Sequence, residues 1–164
     1  MAELPQVARS LLAYTMWADR EQLEALARVP ADHLTLPTGS SFGSLLATMA
    51  HILASEQVWL GRFLSAPPAF PNEADFLDLA MVRAGFEELW PQLEFFLASL
   101  SQEQLLAEIA WTSRSGNSFR RPVWEALIHM SHHSSYHRGQ LTTMLRQLGH
   151  QPASTELINW LASR

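Results

Sequence analysis

Four of the seven histidines fall in one stretch, Ile128-His129-Met130-Ser131-His132-His133-Ser134-Ser135-Tyr136-His137. His129, His133 and His137 recur every four residues, so on a helix they form one vertical stripe, successive rings about 6 Å apart along the axis. Two imidazoles at that spacing can close on one metal ion through bonds of about 2.1 Å, whereas His129 and His137, about 12 Å apart, converge poorly. At most two adjacent members of the stripe therefore ligate one ion, and a third protein ligand must come from another helix. His51 is the natural donor. It lies in Ala47-Thr48-Met49-Ala50-His51-Ile52-Leu53-Ala54-Ser55, where a polar ring needs a partner and small neighbours let another helix approach. Taken alone, His51 reads more simply as a hydrogen-bonded core histidine. His133 and His137 on one face are costly to bury unless something binds them, and a metal or an exposed polar stripe fits that pair equally. His33 and His150 fall in loops and look incidental.

The residues that are missing narrow the chemistry. All 11 basic residues are arginine, and cysteine is absent, so there is no thiolate nucleophile, disulfide, Schiff-base lysine or P-loop lysine. A metal would have imidazole, carboxylate and water for ligands. Zinc peptidases of the His-Glu-x-x-His type place a glutamate beside the first ligand; here Ser134 follows His133. Ferritin-like di-iron bundles need paired Glu-x-x-His motifs, but Glu125 and His129 are four apart and no second copy exists. A single ion held by three histidines is the better fit.

With 164 residues, 48% of them hydrophobic, the chain is expected to form a single domain over 1–164 with one core. Sixteen acids against 11 arginines, net charge −5 and no basic run argue against a nucleic-acid partner. No apolar stretch reaches membrane-spanning length, and Met1-Ala2-Glu3-Leu4-Pro5 lacks the basic start and apolar core of a signal peptide. No membrane partner and a cytoplasmic location are therefore expected.

Helical periodicity must position the histidines. Apolar residues recur from about Leu4 to Val29, until Pro30 stops them. After a loop from Leu34 to Gly43, Ser44 caps a second helix reaching about Leu64, and Ala66-Pro67-Pro68-Ala69-Phe70-Pro71 breaks it. A third helix is predicted from about Glu73 to Ser99, bent or divided at Pro91. Ser101-Gln102-Glu103-Gln104 reads as a capping box opening a short helical turn. Ile109 to Phe119 reads as a hairpin around a Gly-Asn turn, and Pro122 opens a fourth helix running to Leu148 and Gly149. Pro152 and Ser154 introduce a last short helix through Leu161. The predicted fold class is all-α: a four-helix bundle with a hairpin-like segment before helix 4 and a short C-terminal helix.

On these residues the chain resembles the DinB/YfiT-like family of four-helix metalloproteins, which is distinct from the DNA polymerase that shares the DinB name. Trp124 to Gln140, with His133 and His137 before Arg138-Gly139-Gln140, is similar to the family's fourth-helix signature. Ala50-His51-Ile52 followed by Glu56 and Trp59 resembles its second-helix motif, and Tyr14-Thr15-Met16-Trp17-Ala18-Asp19 its aromatic first-helix motif, with Asp19 where asparagine is common. The resemblance implies that His51, His133 and His137 ligate one divalent metal and that His129 is a nearby polar residue. Zinc and nickel are the leading ions, with iron or manganese also compatible. It also implies a homodimer, and for some members thiol-dependent transfer or isomerisation with low-molecular-weight thiols.

Three neutral imidazoles leave an ion its charge and an open position, where it can lower the pKa of water or of a thiol. Without cysteine, that thiol must come from outside the chain. The leading expectation is a metal-dependent thiol S-transferase acting on a small-molecule substrate. The alternatives are a hydrolase using metal-bound hydroxide, with Glu56 or His129 as base, and a non-catalytic metal or small-ligand binding dimer. Tyr14, Glu56 and Tyr136 could orient ligands, though each is more simply structural. Arg138 could clamp a carboxylate or pair with Asp19 or a glutamate, and Gly139 reads as a point of close helix packing. The six tryptophans read as anchors, with Trp111 at a pocket mouth if the hairpin folds over the site.

Overall fold

The computed structural model describes residues 3–66, 70–113 and 115–164. Four long helices, α1 (Leu4–Ala27), α2 (Leu45–Phe63), α3 (Leu79–Ser99) and α5 (Val123–Gln147), form the bundle. Between α3 and α5 come a short helix α4 (Gln102–Leu106) and an antiparallel hairpin of β1 (Glu108–Thr112) and β2 (Ser118–Pro122); α6 (Leu157–Ala162) closes the chain. In the bundle α1 packs on α3 and α5, and α2 packs on the same two helices. The two histidine-bearing helices are thus neighbours. Among the described residues no helix is long and apolar enough to cross a membrane.

The helix ends follow local chemistry. Ser44 takes the Ala47 N–H at 3.2 Å, which commits the chain to α2 just before His51 must point inward. Ser101 and Gln104 form the reciprocal capping box. The third helix starts later than the periodicity predicts. Asp78 caps it through the Met81 N–H at 2.8 Å, and Glu73–Asp75 is a separate 3-10 turn. Apolar residues around Phe76 mimic helical periodicity, yet Asp78 in extended backbone sets the boundary. Pro91 neither divides nor ends α3, because buried Leu89, Trp90, Leu93 and Phe96 hold the helix against the core on both sides of it. The break at Pro67-Pro68-Ala69 lies outside the described residues.

The core fills the space between the four helices, with Leu26, Leu45, Met49, Ile52, Leu53, Phe86, Leu93 and Leu141 fully enclosed. Close approach of helices occurs at Gly85, where an added Cβ would lie 2.5 Å from Leu53 Cδ2. Gly139, expected to serve that purpose, has nothing within 4 Å of such an atom and faces outward. The hairpin pairs Trp111 with Phe119, and its turn passes through Gly116 at φ +85°. β2 leads straight into α5, so the hairpin is fixed against the end of α5 that carries His129. His33, which opens a 3-10 turn rather than lying in a loop, meets His150 with Nδ1 and Nε2 2.9 Å apart. The C-terminal segment is tied to α1 by the Tyr14 hydroxyl, which donates to the Thr155 carbonyl at 2.8 Å, and by Trp160 packed edge-on against Tyr14.

Candidate metal centre

α2 presents His51 to the face of α5 that carries His133 and His137. His133 Nε2 lies 3.2 Å from His51 Nε2 and 3.2 Å from His137 Nε2, and one nitrogen from each ring falls within 4.8 Å of the others. The outer nitrogens fix the chemistry of the inner ones. Glu73 sits 3.0 Å from His51 Nδ1 and, as a carboxylate, can only accept, so Nδ1 carries the proton and Nε2 offers a lone pair. Gln140 Oε1 accepts from His137 Nδ1 at 2.8 Å with the same consequence. Two lone pairs therefore converge on His133, whose own Nδ1 is buried without a partner. Three nitrogens about 2.1 Å from a tetrahedral ion stand about 3.4 Å apart, so this donor set fits a divalent metal with imidazole ligands.

Electrostatics favour the neutral rings that a metal needs. Burial, followed by the charges of His137, His51 and His129, lowers the His133 pKa to about 3. Burial also lowers His137, against a raising effect from its bond to Gln140. Phe42 stacks on His51 with ring centres 3.8 Å apart and meets His137 edge-on, roofing the site with an apolar face.

A cavity of about 540 Å³ opens beside His51 and His133, within the range of roughly 300–1,000 Å³ typical of small-molecule sites. Trp59, Trp111, Phe119 and Arg62 line it as well, so the hairpin does bring Trp111 to the cavity wall. His129 stands on the wall between these groups, its ring 5.2 Å from Trp59 and 6.2 Å from His133. Partial desolvation, then the charges of Arg62 and His132, lower its pKa, so it is neutral near pH 7 and able to accept a proton.

The other site candidates lie elsewhere. Glu56 is fully enclosed in the bundle, accepts from Ser134 Oγ at 2.6 Å and is absent from the cavity wall. It joins Asp19 and Arg138 in a buried polar cluster, where Arg138 donates to Asp19 Oδ1 at 2.7 Å and to Ser135 Oγ at 2.8 Å. Arg138 is thus the internal partner of Asp19 and has no place on the histidine cavity. Tyr136 is 67% exposed and touches only the edge of His137 among the described rings.

Glu73, Gln140, Phe42 and Arg62 escaped the sequence reading. Gln140 carried a local signal, being three residues after His137 on the same helix face. Glu73 and Phe42 come from connecting segments, and their contact with His51 depends on how those segments cross the bundle end.

Residues 4–163 match the sequence profile of the DinB family. The chain is 29% identical over 155 residues to Protein DinB of Bacillus subtilis (strain 168), an alignment covering 91% of this chain and 90% of that one. A crystal structure of a DinB-like protein from Bacillus cereus ATCC 10987 superposes with a TM-score of 0.68 at 16% identity, over 87% of this chain and 91% of the other. The helix order, the histidines meeting between α2 and α5, and the match along nearly the whole length agree: the chain belongs to the DinB family.

Proposed function

We propose that this protein is a metal-dependent enzyme of the thiol S-transferase type, with one divalent ion, zinc or nickel, held by His51, His133 and His137. The observation that carries the reading is the convergence of three imidazole nitrogens, with the rings of His51 and His133 lining a cavity of small-molecule size. Bound there, such an ion supplies Lewis-acid charge that favours the thiolate of an external low-molecular-weight thiol. The chain's own groups do the remaining work. Glu73 and Gln140 orient two of the rings, Trp59 and Trp111 keep water from the cavity wall, and His129 takes the proton that the thiol gives up. The family resemblance further suggests a homodimer.

A hydrolase is the second reading, favoured by the same neutral His129 on the cavity wall, which replaces Glu56 as candidate base. Elemental analysis of untagged protein tests the metal. We expect one ion per chain in the wild type and none in the variant carrying alanine at positions 51, 133 and 137. A folded wild type without stoichiometric metal would defeat the reading. In cobalt-substituted protein, a low-molecular-weight thiol should shift the visible spectrum. Thiol-independent turnover of esters or amides, without such a shift, would favour the hydrolase.

A further inference from the structure

We propose that the cavity beside the three histidines takes an organic carboxylate with a flat aromatic body, its carboxylate held by Arg62 and its opposite end directed at His133. The reactive role of that opposite end rests on the metal reading above; the recognition by Arg62 stands on its own geometry.

His51, Ser55, Val58 and Arg62 follow at helical spacing along the face of α2 that lines the cavity. The Arg62 side chain folds back toward the helix N-terminus, so its guanidinium lies over the Trp59 ring at 4.5 Å and 5.8 Å from the centre of Trp111. Trp59 and His51 are separated by about 12 Å along the helix axis, a span that suits a two-ring aromatic acid lying along α2. The walls suit a flat body. Trp59 and Trp111 meet edge-on with centres 5.0 Å apart, and Trp111 stacks on Phe119 across the hairpin.

Charge decides the orientation. The carboxylates on the cavity wall are already engaged: Glu73 accepts from His51, and Glu125 faces Arg121 at 3.6 Å. Arg62 has no carboxylate within ion-pair distance among the described residues, although it is half-buried on two aromatic faces. A guanidinium stacked in this way keeps its N–H edge open for a bidentate bond to a planar carboxylate.

The test uses 2-naphthoate and its uncharged counterpart 2-naphthalenemethanol, titrated calorimetrically into untagged protein both metal-free and zinc-loaded. The variant Arg62→Met keeps the apolar stem on Trp59 and removes the charge. We expect it to weaken naphthoate at least tenfold in both forms and to leave the alcohol within twofold. Trp111→Ala, on the exposed hairpin, should weaken both ligands. Absence of naphthoate binding, or naphthoate binding that Arg62→Met leaves unchanged, overturns the proposal. So does binding seen only in the zinc-loaded form, which would put the carboxylate on the metal. Arg62-dependent binding by a chain that takes up no stoichiometric zinc supports the cavity assignment while defeating the metal reading.

Discussion

Replacing Glu56 by glutamine should stabilise this protein at neutral pH, increasingly so as pH rises. Glu56 and Asp19 are both fully buried, and the charge of Asp19 acts directly on the Glu56 carboxyl. Ser134 donates to one Glu56 oxygen and Arg138 to one Asp19 oxygen, which leaves Glu56 Oε2 and Asp19 Oδ2 buried without a partner. A proton on Glu56 spares the cluster a second buried negative charge. Burial first, and then the Asp19 charge, push the Glu56 pKa well above the ordinary carboxyl range, so Glu56 holds that proton. Burial raises Asp19 as well, with Arg138 pulling it back. The unfolded chain releases the Glu56 proton near pH 4.3, so above that pH the folded state binds more protons than the unfolded state. Folding stability therefore falls as pH rises toward the folded-state pKa, by up to about 1.4 kcal/mol per pH unit for this group. Glutamine keeps the shape, accepts from Ser134 and donates its amide N–H to Asp19, without a proton to lose on unfolding. Urea denaturation of both proteins at pH 5, 6, 7 and 8, in EDTA, gives the difference curve, in which the histidines cancel. The variant should gain on the wild type with each pH unit. A variant that tracks the wild-type pH profile while about 3–5 kcal/mol less stable would show an ionised Glu56 and refute the reasoning.

The same cluster predicts that Asp19→Asn, which leaves the buried Arg138 guanidinium without its carboxylate, costs about 3–5 kcal/mol in urea denaturation at pH 7. Saturating zinc at 100 times its dissociation constant should add about 2.7 kcal/mol to the wild type, and nothing to a variant with alanine at positions 51, 133 and 137. Glu73→Gln should keep the fold and weaken zinc binding about 10–100-fold, measured by competition with a chromophoric chelator. The imidazole of His133 should show no titration by nitrogen NMR of the metal-free protein between pH 5 and pH 8, since its pKa sits at about 3. Because that value lies below the unfolded one, the stability it confers is present above about pH 6.5 and is lost as pH falls.

Much of the ligand set was visible as pattern. His133 and His137 share a face because a helix repeats every 3.6 residues, and His51 stood out because a polar ring in an apolar helix needs a partner. The family resemblance then selected the second and third members of the stripe. What the pattern could not separate were the roles of the remaining polar groups. Glu56, Glu73 and Glu125 carry the same carboxylate, yet one is buried against Asp19, one orients His51 and one pairs with Arg121 at the cavity rim. A one-dimensional spacing is silent on this, since burial and partner depend on groups far away in the chain.

The start of α3 shows the same boundary between levels. Side-chain periodicity placed it at Glu73, but helix ends are set by which backbone N–H finds a cap, and Asp78 supplies it. The shift has a consequence for the site, because freeing Glu73 from the helix lets it reach His51. Four amphipathic helices burying one core, two of them with imidazoles on their inner faces, follow from residue order alone, because both properties repeat with the helix period. Which carboxylate orients His51, which arginine is neutralised inside the bundle and which faces the cavity do not follow from it. Those outcomes depend on the crossing of helices and the path of loops, where desolvation and a partner at hydrogen-bonding distance give identical side chains different chemistry.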